Sequence, residues 1–180
     1  MRTRGPQITS TEKGLTVIAC NDVGNIFSYH KIGSDNWVQS VKINDVDNVA
    51  KESLMAISGN EKSAFAVWLD TRGNNQNKIY GSRSNDGGKT WAKNIMIYTS
   101  PDTTVRQCCK PSVAVKGNNV YVMFRNWLKD SRDMYLIQSK DGGDTFGHAQ
   151  KLGIGNWKLN ACPMDGAGLS INGNAAIQTV

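Results

Sequence analysis

An arginine placed directly after an apolar run is well placed to meet an anion. The run Tyr121-Val122-Met123-Phe124 leads straight into Arg125. A guanidinium at the end of such a strand projects where a ligand arrives, and its planar fork suits a carboxylate. A second run, Ala64-Phe65-Ala66-Val67-Trp68-Leu69, leads into Asp70-Thr71-Arg72. There Asp70 could serve as an acid/base and Arg72 as an anion contact; alternatively the two pair and stabilise their loop. Arg132-Asp133 reads as a structural pair. Asp165-Gly166, ahead of the run Leu169-Ser170-Ile171, is a further polar candidate. Metal chemistry is not expected: Cys20, Cys108, Cys109, Cys162, His30 and His148 match no zinc spacing, and no cofactor is implied. Cys20 lies within an apolar run and reads as core. A disulfide from Cys108 or Cys109 to Cys162 is one reading of the others, and buried thiols are the alternative.

The elements that must position these groups are short strands. Alternating runs of four to seven residues recur, with turn signals every eight to twelve residues, and helical periodicity is nearly absent. One motif is written twice: Ser84-Asn85-Asp86-Gly87-Gly88-Lys89-Thr90-Trp91 and Ser139-Lys140-Asp141-Gly142-Gly143-Asp144-Thr145-Phe146. Its Asp-Gly-Gly core is hairpin-turn chemistry. The carboxylate takes amides ahead of it, glycine takes the positive φ, and the hydroxyl of Thr90 or Thr145 adds a bond. The closing Trp91 or Phe146 is aimed into apolar contact. Ser84, Asp86, Gly88, Thr90 and Trp91, with Ser139, Asp141, Gly143, Thr145 and Phe146, are therefore read as structural.

The flanks of the motif repeat with it, which marks a repeat architecture. Strands are expected at Ser53–Ile57, Ala64–Leu69, Ile79–Arg83 and Lys93–Tyr98. The next unit has them at Ser112–Val115, Val120–Phe124, Met134–Ser139 and Gln150–Leu152. A degenerate earlier unit fits Gln7–Thr9, Leu15–Cys20, Ile26–His30 and Trp37–Ile43, and a further unit opens at Leu169. The expectation is an all-β chain: a partial β-propeller of about three four-stranded blades, at 5–47, 50–100 and 108–155, plus the start of the next at 161–180. All belong to one domain, 1–180. Propellers close with roughly four to eight blades, so a portion of a longer protein is expected, and open blade edges invite pairing with another chain.

The repeated motif resembles the Asp-box (BNR) repeat of sialidases and related propellers. With Cys108-Cys109-Lys110-Pro111 and Cys162-Pro163-Met164-Asp165-Gly166, the chain resembles uncharacterised bacterial sialidase-like proteins over nearly its whole length. The resemblance implies a six-bladed ring. It also implies a site where three arginines grip a sugar carboxylate, a glutamate assists a tyrosine nucleophile and an aspartate is the acid/base. Carried over by position, Arg4 in Arg4-Gly5-Pro6 resembles the first arginine's segment, and Arg125-Asn126 the arginine-asparagine step. The stretch that should hold the glutamate reads Gln107-Cys108-Cys109-Lys110-Pro111 and has none; Glu52 occupies the comparable place one unit earlier. Catalysis would fall to Asp70 and Glu52, with Arg125, Arg72, Arg4, Asn126 and Asp165 binding substrate. Two functions follow: an exo-glycosidase acting on sialosides or related acidic glycans, or a non-catalytic propeller that binds glycan or protein.

The formal net charge is +6, with lysines and arginines scattered and no basic run. That argues against nucleic acid and suits an anionic glycan or small-molecule ligand. No apolar run is long enough to cross a membrane. No secretion signal is visible, although the resemblance favours an extracellular or periplasmic location.

Overall fold

The computed structural model describes residues 5–34, 36–102, 104–105, 108–159, 161, 166–172 and 177–179. The strands form three four-stranded antiparallel sheets and one hairpin. The first sheet is β1 (Gln7–Thr11), β2 (Gly14–Cys20), β3 (Ile26–Lys31) and β4 (Val38–Lys42). The second is β5 (Met55–Gly59), β6 (Ala64–Asp70), β7 (Lys78–Ser84) and β8 (Ile95–Tyr98). The third is β9 (Ser112–Lys116), β10 (Asn119–Arg125), β11 (Met134–Ser139) and β12 (Gln150–Lys151). A hairpin follows, β13 (Leu169–Ile171) with β14 (Ile177–Thr179). Each sheet runs in sequence order, strand beside next strand. The first strands are neighbours in series, β1 beside β5, β5 beside β9 and β9 beside β13. Such radial stacking of sheets is propeller-like.

The cores lie between sheets, as the repeat reading requires. Ile18, Cys20, Ile26, Met55, Ala66 and Trp68 fill the layer between the first and second sheets. Phe65, Val67, Leu69, Val120, Val122 and Phe124 fill the layer between the second and third. Alternation sorts β6 between the two: Phe65, Val67 and Leu69 point one way, Ala66 and Trp68 the other. Both faces of β6 are therefore covered, and every one of its seven residues is buried.

The repeated turn works between sheets as well as within one. Within it, Ser84 Oγ donates to Asp86 Oδ1 at 2.9 Å, and Gly88 N donates to Ser84 Oγ at 2.8 Å. Thr90 donates from N at 2.9 Å and from Oγ1 at 2.5 Å to the Asp86 carboxylate. The second copy repeats each bond through Ser139, Asp141, Gly143 and Thr145. Each copy then reaches back to the preceding sheet. Thr16 and Ser28 of the first sheet donate to the carbonyls of Gly87 and Gly88. Arg83 of the second sheet donates to Gly142 O and pairs with Asp144 at 3.2 Å. Trp91 packs on the core between sheets one and two, and Phe146 on that between two and three, 6.0 Å from Phe65.

Candidate functional site

The two ends of the sheets differ. At one end lie the repeated motifs and the tight turns that join first strands to second. At the other lie longer links: 21–25, 43–54, 71–77, 99–111, 126–133 and 152–168. Glu52, Asp70, Arg72, Arg125 and Asn126 belong to this linker end. Arg4 and Asp165 lie outside the described residues.

Asp70 closes β6 and is fully buried. Its Oδ2 accepts from Trp68 Nε1 at 2.9 Å and from Arg72 Nη2 at 2.8 Å. Its Oδ1 accepts from the Arg72 backbone N and from Nε, each at 2.9 Å. Arg72 also donates to Asp45 Oδ1 at 2.7 Å and to Asn94 Oδ1 at 3.1 Å, and its guanidinium lies 4.1 Å from the Tyr80 ring centroid. The pairing alternative for Asp70 and Arg72 is thus the geometry observed, extended by Asp45 into a tie between the first and second sheets. Glu52 stands at the same end, half-buried, three residues before β5. Between described residues, no hydrogen bond, ion pair or ring contact joins the Asp70–Arg72 group to Arg125 or Asn126.

The third sheet builds a different arrangement. Arg125 closes β10. It donates from Nη1 to the carbonyl of Arg132 at 2.8 Å and stacks 4.6 Å from the Trp157 ring centroid, while its Nε has no partner. Asn126 is fully buried beneath it, donating from Nδ2 to Tyr98 Oη at 2.8 Å, with Oδ1 unpartnered. It braces the second sheet against the third from below the surface. The chain then turns in two residues. Leu128 and Ser131 exchange backbone bonds at 3.0 and 2.9 Å across Lys129 and Asp130, both at positive φ, 49° and 62°. A turn of this hand favours Asn-Gly, so Lys129 here is strained. Trp127 and Arg132 flank the turn, with the guanidinium 5.4 Å from the indole centroid.

The expected Arg132–Asp133 pair does not form. Asp133 accepts instead from Trp157 N at 2.8 Å, Ser131 Oγ at 2.7 Å and Lys151 Nζ at 3.0 Å. Burial pushes the Asp133 carboxyl up, but these bonds outweigh it and hold it below the usual carboxylate range. Arg132 N donates to Trp157 O at 2.9 Å. Asp133 and Arg132 thus strap Trp157 in place against Arg125. Trp157 belongs to no motif in the sequence; an aromatic in a polar, glycine-rich link is its one signal there. Arg132 itself is buried, with Nε and Nη1 unpartnered.

Cys108, just before β9, is disulfide-bonded, whereas Cys20 and Cys109 are buried thiols. Cys162, the other cysteine of the disulfide reading, lies outside the described residues. Among the described residues no group of His, Cys, Asp and Glu could hold a metal ion. No helix is long and apolar enough to cross a membrane.

No protein-family model and no curated protein matches the chain. Solved structures do. A Penicillium chrysogenum α-L-arabinanase complexed with arabinobiose aligns over 97% of this chain and 57% of its own, with a TM-score of 0.65 and 17% identity. The Aleuria aurantia lectin in complex with Fucα1-6GlcNAc aligns over 92% of this chain and 48% of its own, with a TM-score of 0.58 and 14% identity. The chain therefore has a propeller-like, all-β fold and spans about half the length of the solved structures it matches.

Proposed function

We propose that this chain is part of a glycan-recognising propeller of sialidase-like type, and that its linker end takes an acidic sugar, a sialoside or a related carboxylated glycan. The observation that carries this reading is the Arg125 guanidinium stacked on Trp157 with Nε unpaired. Aromatic faces suit the apolar face of a sugar ring, and guanidinium donors suit its carboxylate. The arabinanase and the lectin were both solved with bound sugars, and the repeated Asp-box motif supports the sialidase-like assignment.

Binding is favoured over hydrolysis by Asp70. An acid/base must exchange a proton with the substrate, and both Asp70 oxygens are already held by Trp68 and Arg72 in a site closed to solvent. The hydrolytic reading then rests on Glu52 and on parts of a ring beyond this chain. Calorimetric titration with sialyllactose, and with lactose as the neutral counterpart, tests the proposal. Binding of sialyllactose alone, weakened about tenfold or more in Arg125→Gln, is expected. Equal binding of both sugars, or of neither, overturns it. Turnover of a fluorogenic sialoside would move the assignment to the hydrolase.

A further inference from the structure

Beside the Arg125–Trp157 stack lies a cleft of about 260 Å³ lined by Trp127, Asp130, Arg132, Lys158 and Leu159. Its chemistry is distinctive in three ways. Arg132 is only 5% exposed, yet its Nε and Nη1 have no acceptor. A buried donor without a partner is costly to keep, and a protein that keeps one beside a cleft has a donor ready for a ligand. Trp127 backs the guanidinium, which fixes its plane without neutralising its charge. Lys158, exposed at the rim, adds a second cation. Among the described residues no ion pair occupies Arg132; the neighbouring carboxylate of Asp133 is committed to Trp157, Ser131 and Lys151.

We infer that this cleft is a second subsite for a carboxylated sugar, so that the ligand carries two acidic residues in succession. This rests on the acidic-glycan reading of Arg125 and deepens it. Arg125 and Arg132 are joined by the 2.8 Å bond from Nη1 to the Arg132 carbonyl, so the two guanidinium–tryptophan pairs lie side by side at one end of the third sheet. One acidic residue sits against Arg125 and Trp157. The next places its carboxylate against Arg132 and Lys158, and Asp130, exposed at the turn, accepts from its hydroxyls.

Titration of the chain with disialyllactose, sialyllactose and lactose, and in a parallel arm with digalacturonate and galacturonate, tests the inference. The doubly acidic sugar of at least one arm is expected to bind about tenfold more tightly than its singly acidic counterpart; the arm that shows the gain identifies the acid as sialic or uronic. Lys158→Gln changes an exposed residue and should leave folding intact. Lys158→Gln is expected to abolish the gain while leaving binding of the singly acidic sugar unchanged, and Arg132→Gln is expected to abolish the gain as well. No gain in the native chain, or a gain that survives Lys158→Gln and Arg132→Gln, overturns the second subsite while the Arg125 reading stands. Failure of every acidic sugar to bind overturns both.

Discussion

Gly143 of the third sheet sits so close to Phe65 of the second that a Cβ on the glycine would stand 2.1 Å from the ring's Cε2. Phe65 is itself buried in the layer between these sheets. Gly143 also has φ +99°, where side chains are strained. Gly143→Ala is therefore expected to lower stability by about 2–4 kcal/mol, from overpacking and backbone strain together. Gly142 is the control. It shares positive φ, but its Cβ would meet only the end of the flexible Arg83 side chain, so Gly142→Ala should cost about 1 kcal/mol. Urea denaturation of both variants checks the difference; equal losses would contradict the close packing.

The tie of Asp70 to Arg72 and Trp68 makes a second prediction. Removing one partner of a buried ion pair strands the other, and Asp70→Asn is expected to cost about 3 kcal/mol. Asp45 holds the same arginine but is more than a third exposed. Solvent screening reduces its share, and Asp45→Asn should cost less than about 1 kcal/mol. Denaturation midpoints at neutral pH decide; a larger loss from Asp45→Asn would reverse the ranking.

Acid should unfasten the repeated turns. Burial pushes the Asp86 carboxyl up, but bonds from Thr90, Ser84 and Lys89 prevail and hold it below its ordinary value. The Ser139 and Thr145 bonds hold Asp141 lower still. With folded values below the unfolded one, the unfolded chain binds more protons in acid. The stabilisation is complete above the unfolded value of about 4 and drains away as pH falls through the folded values. Thermal unfolding of the native chain between neutral pH and pH 3 should show a steeper decline than Asp141→Asn shows over the same range. Parallel curves would remove the turn from the account.

The cysteines divide unevenly. Cys108 is disulfide-bonded, and Cys20 and Cys109 are thiols. Burial pushes the Cys20 thiol up, so it should react slowly in the folded state. Denatured without reductant, the chain is expected to titrate with two of its four cysteines as thiols; four would show that the disulfide does not form in solution.

Much of the fold was legible because its signals are local. The alternation of Val120, Val122 and Phe124 marks β10, and all four strands of each full sheet were expected within two residues of where they lie. The turns were legible because Ser84, Asp86 and Thr90 bond within one short segment. Their docking was not. Thr16 and Gly87 are 71 positions apart, and nothing in either segment names the other. The candidate site failed to read for the same reason and for one more. Adjacent charges suggest a pair, yet Arg132 and Asp133 take separate partners in the link before β11. Asp133 found its partner in Trp157, 24 positions on. Arg125 was visible as a residue, but the tryptophan that stacks on it was not.

Each repeated turn clasps the sheet before it, and among the described residues no hydrogen bond joins it to the sheet after. The ribosome releases the chain from its N-terminus, so the surface each clasp needs has already been made when the clasp appears. Assembly can then advance one sheet at a time, as in a zip closed from one end, without waiting for a distant segment. A defect in an early sheet would be inherited by every sheet behind it, whereas one in the last would stop there.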